Sequence, residues 1–375
     1  MKLGFLRPLY QQADGYVSVY LDTSQAEANA AQTVRLRWRA TRDRLAGAGA
    51  GPATLDAIGE VVTDPGLAAP GRAVFGHGGA VTFTAALPAP PRREIARVAP
   101  LPHLLPLLAQ EPPQPRHLRV SAARSGGDVV AVTSAGGSPA RQAGRTEWPV
   151  HTSPAGSWPP ARRSAGEAGD GHAKALAALV TEAAGEIAAE RILLAGNARA
   201  RELLVRHLSS PLRAAVITID QEVPAGSAAM AEAACAALSR EEDRQCRERF
   251  DDWRTRLAGE AGVEGLAATL TGLAEGRVSE LFLAGQPGLA AAWIGPAVAD
   301  LAASGDQLRE RGVARPACER ADAAIIRAVA LTGAELRLLP QDLGTGGQPD
   351  DAGPQDGICA ILRHPPAGGP PGPPG

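Results

Sequence analysis

The sequence predicts an α/β protein that folds as three α/β domains. The chain has 375 residues, whereas single hydrophobic cores rarely grow beyond about 250–300 residues. Strand-like segments alternate with helix-like segments, a pattern typical of sheets covered by helices. Proline-rich and glycine-rich stretches interrupt the alternation, and domain boundaries are expected there. The predicted domains are 1–112, 113–260 and 261–364, followed by a disordered tail at 365–375.

Composition excludes several classes of protein. The net charge of −2 and the pI of about 6.4 argue against a polycation that coats nucleic acid, although a local basic face remains open. The four cysteines lack the paired spacing of a zinc site. No apolar run approaches the roughly 18–20 residues of a membrane span. We expect a cytoplasmic monomer with buried, reduced cysteines and without a metal or cofactor.

The first domain is predicted to begin with a strand at 15–24, where apolar and polar residues alternate. A proline-free segment rich in Ala, Leu and Arg follows at 25–49 and predicts a helix with Ser24 as its N-cap. The remaining elements are predicted as a helix at 53–62 and a hairpin at 72–87 that turns at Gly78 and Gly79.

The first predicted helix carries a stripe of arginines. Arg35, Arg39 and Arg42 follow the spacing i, i+4, i+7 and share one face. Trp38 and Leu45 fall on another side and are expected to anchor the helix. A basic stripe of this kind suits the phosphates of RNA, but an ordinary solvated helix face fits the same spacing, and both interpretations stay open.

The second domain is predicted to open with two strands within 117–134, joined at Gly126 and Gly127, and a third at 145–151. The stretch 152–171 is rich in Pro, Gly, Ser and Arg. Loops of this length inside compact domains are usually functional or disordered. The elements predicted after it are a helix at 172–190, a strand at 191–196, a helix at 197–208, a strand at 213–220 and a helix at 227–257.

The long loop contains candidate RNA-binding residues. Trp158 is able to stack on a base, and Arg162 and Arg163 are able to pair with phosphates. His151 and His172 flank the loop and offer a possible base or nuclease-like site. A flexible surface loop with an incidental tryptophan is the alternative, and it also stays open.

The third domain continues the alternation. Its predicted elements are a helix at 263–275, a strand at 278–285, helices at 288–302 and 319–331, and strands at 334–340 and 357–364.

In this order the three domains resemble the archaeo-eukaryotic class-one release factors and their relative Pelota. The resemblance is carried by SVYLDTS at 18–24 with the arginine-rich helix after it, by WPVH at 148–151 before the long loop, and by GICAILRH at 357–364. The sequence is most similar to bacterial members of this superfamily, namely the actinobacterial Vms1/Ankzf1-like peptidyl-tRNA hydrolase branch and Balon-like ribosome hibernation factors.

The resemblance implies binding in the ribosomal A site. In this superfamily the first domain faces the decoding centre, the second reaches toward the peptidyl-transferase centre, and the third contacts the stalk base or a GTPase. The implied partner is therefore the 70S ribosome, with elongation factor Tu or the ribosomal stalk proteins as further candidates.

The resemblance also raises the question of catalysis. Release factors carry Gly-Gly-Gln in the second domain, between a strand and a long helix, where the glutamine N–H stabilises the oxyanion. The corresponding stretch 152–171 contains neither Gln nor Gly-Gly, while a Gly-Gly-Gln stands at 346–348 in the third domain. We expect the latter to be a surface turn, and no residue is assigned a catalytic role.

The leading hypothesis is therefore a non-catalytic factor that occupies the A site of idle or stressed ribosomes. A peptidyl-tRNA hydrolase or tRNA-cleaving rescue factor that uses the same loop is the first alternative. A stress-associated adaptor that binds proteins only is the second.

Overall fold

The computed structural model describes most of the chain and confirms the α/β class. The described residues are 1–11, 15–24, 29–67, 69–110, 115–124, 126–133, 146–152, 165–259, 261–284, 289–340, 343 and 353–364. Within these ranges, no helix is long and apolar enough to cross a membrane.

The chain divides into two compact units. The first contains Met1–Pro113 and Gln245–Gly375 together with Gly136–Ala143, and the second contains Gln114–Ala135 and Gly144–Arg244. The segments predicted as first and third domains thus fall largely within one unit, and the three-domain division itself stays a prediction.

The N-terminal part of the first unit is a sheet with two helices on one face. Its elements are a 3₁₀ helix at Gly4–Tyr10, β1 Tyr16–Asp22, α1 Ala30–Gly47, α2 Pro52–Thr63, a 3₁₀ turn at Pro65–Leu67, β2 Gly71–His77, β3 Ala80–Leu87, β4 Ile95–Ala99 and α3 Leu105–Gln110. The sheet has the order β3-β2-β1-β4, and each neighbouring pair is antiparallel. Because strand residues alternate between faces, Val17, Val19 and Leu21 of β1 pack under both helices, while Tyr20 packs in the core on the opposite face.

Helix α1 confirms one prediction and corrects another. Trp38 and Leu45 anchor it as expected, with exposed fractions of 7% and 1%. The predicted N-cap is wrong, because the helix begins at Ala30 after Asn29. The Ser24 hydroxyl donates instead to Asp22 Oδ1 over 2.6 Å, so this serine stabilises the end of β1.

The hairpin between β2 and β3 confirms the predicted turn. Gly78 and Gly79 have φ values of 59° and 86°. Two successive residues with positive φ match the right-handed twist of the flanking strands, and glycine adopts this conformation at little cost.

The C-terminal part of the first unit combines two further sheets. Its elements are β10 Gly262–Glu264, α8 Leu266–Ala274, β11 Val278–Ala284, β12 Ala291–Ile294, β13 Leu301–Ala302, α9 Gly305–Glu310, β14 Ala317–Arg320, α10 Ala321–Thr332, β15 Glu335–Leu339, a 3₁₀ turn at Gln355–Gly357 and β16 Ile358–Leu362. The sheet orders are β10-β16-β11-β15 and β13-β12-β14. The predicted helix at 288–302 is wrong, since this range holds two short strands. They are too short for a period-two pattern, and Gly295-Pro296 separates them.

The second unit is a mixed sheet with covering helices. Its elements are β5 His117–Ala123, β6 Gly126–Thr133, β7 Thr146–Thr152, α4 Ala165–Ile187, β8 Arg191–Gly196, α5 Ala198–His207, α6 Ser210–Ala214, β9 Val216–Thr218 and α7 Ala228–Leu257, which runs on into the first unit. The sheet order is β7-β6-β5-β8-β9. Strands β5, β8 and β9 are parallel, as the strand–helix–strand alternation predicted.

Two boundaries in the second unit differ from the prediction. Helix α4 begins at Ala165 rather than at 172, so the end of the predicted loop is helical. Gly126 and Gly127 lie in β6 rather than in the turn. A Cβ on Gly127 would lie 2.3 Å from the Ser121 carbonyl oxygen, which explains why a glycine stands within this ladder.

The contact between α1 and α2 yields a stability prediction. A Cβ on Gly59 would lie 2.7 Å from Nε1 of Trp38, so Gly59→Ala forces the indole out of place. The free energy of unfolding is expected to fall by about 1–3 kcal/mol in chemical denaturation, the usual cost of overpacking. In the matched control Gly47→Ala, the new methyl group meets open space and should not destabilise. Equal stabilities of the two variants would contradict this packing.

Candidate nucleic-acid interface

The three predicted arginines of α1 differ in whether they form an ion pair. Arg35 and Arg39 are exposed, and neither forms an ion pair with any residue in the described ranges. Arg42 is half-buried and its Nη2 lies 2.7 Å from Oδ1 of Asp56 on α2. The surface available to an RNA phosphate is therefore centred on Arg35 and Arg39, with Arg42 partly neutralised.

An apolar side chain lies on the same surface. Leu36 is 55% exposed. Among the described residues, Leu36 and Leu257 are the two large hydrophobic side chains that are exposed. On a helix, Leu36 and Arg39 are neighbours at i, i+3. We call Arg35, Leu36 and Arg39 the α1 surface. Two guanidinium groups beside an apolar side chain fit a phosphate and an adjoining sugar or base.

Arg37, on another face of α1, is neutralised. Arg37 pairs with Asp22 over 3.0 Å and lies 3.8 Å from a Glu94 oxygen. Burial alone would raise the pKa of Asp22, but hydrogen bonds from the Ser24 hydroxyl and N–H, together with Arg37, outweigh it and lower the pKa. Asp22 therefore stabilises the turn after β1 through Ser24, and its pair with Arg37 leaves that arginine less available to RNA.

Only the two flanks of the long loop belong to the described residues. Trp158, Arg162 and Arg163 lie outside the described residues, between β7 and α4. His151 lies in β7, and the Nδ1 atom of His172 on α4 lies 3.2 Å from the Arg124 carbonyl oxygen. An approach of the two histidines, and a role for the loop in RNA binding, stay predictions. The Gly-Gly-Gln at 346–348 also lies outside the described residues.

The structure adds a pair that sequence reasoning missed. His207 Nε2 lies 2.8 Å from Asp170 Oδ1, joining α5 to the beginning of α4. The two residues are 37 positions apart, so no local pattern could have found them. A carboxylate that orients an imidazole is the arrangement of a general base, although a surface ion pair has the same geometry. Asp170 belongs to the stretch 152–171 that was predicted as the loop.

A cleft in the first unit is lined by residues that form ion pairs with one another. Its volume is about 260 Å³, and Arg97, Cys318, Glu319, Arg320 and Asp322 contribute to its lining. Glu319 accepts from Arg97 over 2.6 Å, and Asp322 accepts two hydrogen bonds from the Arg320 guanidinium. Since both carboxylates are engaged, we interpret the cleft as structural. No cluster suited to a metal ion occurs among the described residues.

The cysteines agree with the prediction in part. Cys246 and Cys359 are buried, and burial raises the pKa of the Cys359 thiol. Cys235 is half-buried and Cys318 is exposed, so the expectation that all the thiols are buried is wrong for these two.

The central part of the chain matches a known family. Residues 116–259 match the family model described as bacterial archaeo-eukaryotic release factor family 2. This part of the chain is thus related to the archaeo-eukaryotic release factor superfamily, as the sequence predicted, while the Vms1/Ankzf1-like or Balon-like branch stays a prediction. No curated protein sequence matches the chain.

Solved structures are similar over much of the chain at low identity. An archaeal translation termination factor, aRF1, is 16% identical over 96% of both chains with a TM-score of 0.22. Archaeoglobus fulgidus Pelota is 14% identical over 78% of this chain and 79% of its own, with a TM-score of 0.33. Ribosome-bound archaeal Pelota is 13% identical over 97% and 94%, with a TM-score of 0.36. At these TM-scores the similarities carry no argument about function.

Asp322 gives the first unit a defined acid sensitivity. Burial alone would raise the pKa of this carboxyl, but hydrogen bonds from His103 and Arg320 outweigh it and lower the pKa from 3.8 to about 2. The stabilisation is fully present above the unfolded-state pKa and is lost as the pH falls from about 4 to about 2.

We expect Asp322→Asn to lower the free energy of unfolding by about 2 kcal/mol at pH 7. Chemical denaturation between pH 7 and pH 2 measures the effect, and the variant should lose less of its stability across the acid range. The control Asp306→Asn removes a carboxylate from an exposed pair with Arg309 and should behave as wild type. An acid profile of Asp322→Asn identical to that of wild type would rule out this role.

Proposed function

We propose that the protein is a ribosome-binding translation factor that occupies the A site of idle or stressed ribosomes without cutting peptidyl-tRNA. The observation that carries this proposal is the family match over 116–259. In release factors that segment holds the Gly-Gly-Gln loop, and here the corresponding stretch 152–171 has neither Gln nor Gly-Gly. The match supports ribosome binding, and the missing tripeptide supports a passive role.

The α1 surface is the proposed contact near the decoding centre. It lies on a helix that Trp38 and Leu45 fix against the first sheet, so its geometry is set before RNA arrives. Neither Arg35 nor Arg39 forms an ion pair within the described residues, so both guanidinium groups are available to phosphate. Arg42 would contribute only after leaving Asp56, which makes it the weaker of the predicted contacts.

The stretch 153–164 is the proposed second contact, toward the peptidyl-transferase region. Trp158 supplies a stacking surface, and Arg162 and Arg163 supply phosphate donors. The segment 261–364 is proposed to offer a protein-binding surface, with elongation factor Tu or the stalk proteins as partners. An adaptor that uses only this protein surface would bind ribosomes equally well at low and high salt.

One observation favours the enzymatic alternative. The pair of His207 and Asp170 gives the second unit a candidate general base at the beginning of α4. A hydrolase that activates water for attack on an ester bond needs such a base. His207→Gln keeps a polar side chain and removes this chemistry, so it tests the alternative directly.

Reversing charge on the α1 surface should weaken ribosome binding. For Arg35→Glu combined with Arg39→Glu, we expect the affinity for vacant 70S ribosomes to fall at least about tenfold in co-sedimentation. The slope of log affinity against log salt should become shallower by about two, one for each lost phosphate contact.

The matched control reverses the same amount of charge elsewhere in the first unit. Arg309→Glu with Arg311→Glu changes two exposed arginines of α9 and its C-terminal end. We expect its binding to stay close to that of wild type. Equal losses in both variants would show that net charge, and not the α1 surface, governs binding.

Peptide release separates the passive proposal from the enzymatic one. Stalled ribosome complexes carrying a labelled nascent peptide should release no more peptide with wild type than without protein. The variant Trp158→Ala/Arg162→Ala/Arg163→Ala should bind more weakly and also release nothing. Release by wild type that is abolished in His207→Gln would overturn the passive assignment and establish the hydrolase.

A further inference from the structure

Two adjacent arginines are exposed in the connection between β3 and β4. Arg92 and Arg93 lie directly before β4, and neither forms an ion pair within the described ranges. They are 53 or more positions along the chain from Arg39, so the helical spacing of the α1 surface does not include them. We call Arg92 and Arg93 the sheet-end surface.

The connection that carries them crosses one end of the first sheet. β3 and β4 are the two edge strands of this sheet, so the chain between them has to pass β2 and β1. A Cβ built on Gly71, the first residue of β2, would lie 2.9 Å from the Ala89 carbonyl oxygen and 2.9 Å from Cδ of Pro91. Gly71 pairs with Asp22, the last residue of β1. The sheet-end surface therefore follows a segment that packs at the end of the sheet where β1 finishes.

Helix α1 reaches the same end of the sheet. Arg37 donates to the Asp22 carbonyl oxygen over 3.1 Å, and its Nε lies 3.8 Å from Oε1 of Glu94, the residue directly after the sheet-end surface. Arg35 and Leu36 immediately precede Arg37 on the helix. The N-terminal half of α1 and the sheet-end surface are thus neighbours.

The carboxylates at this end are already engaged. Asp22 pairs with Arg37 over 3.0 Å and accepts from the hydroxyl and the N–H of Ser24. Glu94 also lies against Arg37. Two negative charges therefore face one arginine of α1, and Arg92 and Arg93 are left with their charge uncompensated by an ion pair.

A buried arginine adds positive charge behind the same end. Arg72, the second residue of β2, is 1% exposed, and its Nη1 has no hydrogen-bond partner. Burial lowers the pKa of Arg72, but an arginine stays protonated at neutral pH. Asp64 offsets this charge only in part, because its carboxylate is exposed to water. A charge with little solvent around it raises the potential over the nearby surface and favours an anion there.

Prolines restrict the connection before the two arginines. Pro88, Pro90 and Pro91 precede them, and each proline ring fixes its φ at about −65°. A stiff segment loses little conformational freedom on binding. The planar guanidinium fork also matches the oxygens of a phosphate group. Adjacent arginines on a stiff segment therefore suit a phosphate backbone.

We propose that the sheet-end surface binds the phosphate backbone of RNA and continues the contact that begins on the α1 surface. A backbone that leaves Arg35 and passes over the exposed Leu36 meets Arg92 and Arg93 beyond it. The inference rests on the proposed function for RNA as the partner of the α1 surface, but it is tested on RNA without ribosomes.

The test uses the full chain and a fluorescently labelled RNA hairpin, with binding measured by fluorescence anisotropy across a salt series. For Arg92→Glu combined with Arg93→Glu, we expect the affinity to fall about tenfold at low salt. The slope of log affinity against log salt should become shallower by about two, one for each lost phosphate contact.

Two control variants separate position and geometry from net charge. Arg311→Glu with Arg315→Glu reverses two arginines that are also exposed and also form no ion pair within the described ranges, and its affinity should stay close to that of wild type. Arg92→Lys with Arg93→Lys keeps the charge and removes the planar fork, so the slope should stay while the affinity falls by a smaller factor. Chemical denaturation should give all three variants the stability of wild type, because the altered side chains are exposed.

Two outcomes would overturn the inference. Hairpin binding by Arg92→Glu/Arg93→Glu that equals wild type would show that the sheet-end surface does not contact RNA. An equal loss in Arg311→Glu/Arg315→Glu would show that net charge alone is responsible. Co-sedimentation of wild type with 70S ribosomes tests the proposed function separately, so the failure of either claim can be told from the failure of the other.

Discussion

The buried carboxylate of Glu319 is the constraint on which the first unit depends. Its side chain is fully buried, and it accepts from Arg97 on β4, from the Leu101 N–H and from the Arg320 N–H. A charge without water is tolerated only when it is paired and hydrogen-bonded. This requirement holds the edge of the first sheet against β14, beside the second buried carboxylate at Asp322. The contact between β4 and β14 is therefore held by charge pairing, beside the hydrophobic cluster that the two parts of the first unit share.

The orientation of the proposed interface is set by the packing of α1 on the first sheet. Helix α1 is buried along Val34, Trp38, Thr41 and Leu45, so its outer face has one orientation on the sheet. Asp56 pairs with Arg42, and Asp22 and Glu94 both lie against Arg37. Arg35, Arg39 and Arg44 form no ion pair within the described ranges, and Arg35 and Arg39 lie beside the exposed Leu36 where an external anion could bind. Selective neutralisation of neighbouring charges makes a narrow basic surface within a protein whose net charge is negative.

Sequence reasoning found the elements that have a strong local signal. Alternating Val17, Val19 and Leu21 indicated β1, the two glycines at 78 and 79 indicated the hairpin turn, and the long helices followed from their composition. Short strands such as β12 and β14 were missed because four residues are too few to establish a period. The pairing of His207 with Asp170 depends on tertiary packing, and no spacing along the chain encodes it.

The salt dependence of binding to vacant 70S ribosomes tests the central claim most directly. Contacts from Arg35, Arg39, Arg162 and Arg163 to phosphates predict a log–log slope of about −3, with near-stoichiometric binding at low salt. Binding should also compete with an A-site tRNA, since both would occupy one site. Absence of binding at low salt, or binding that ignores both salt and tRNA, would contradict an RNA-bound A-site factor.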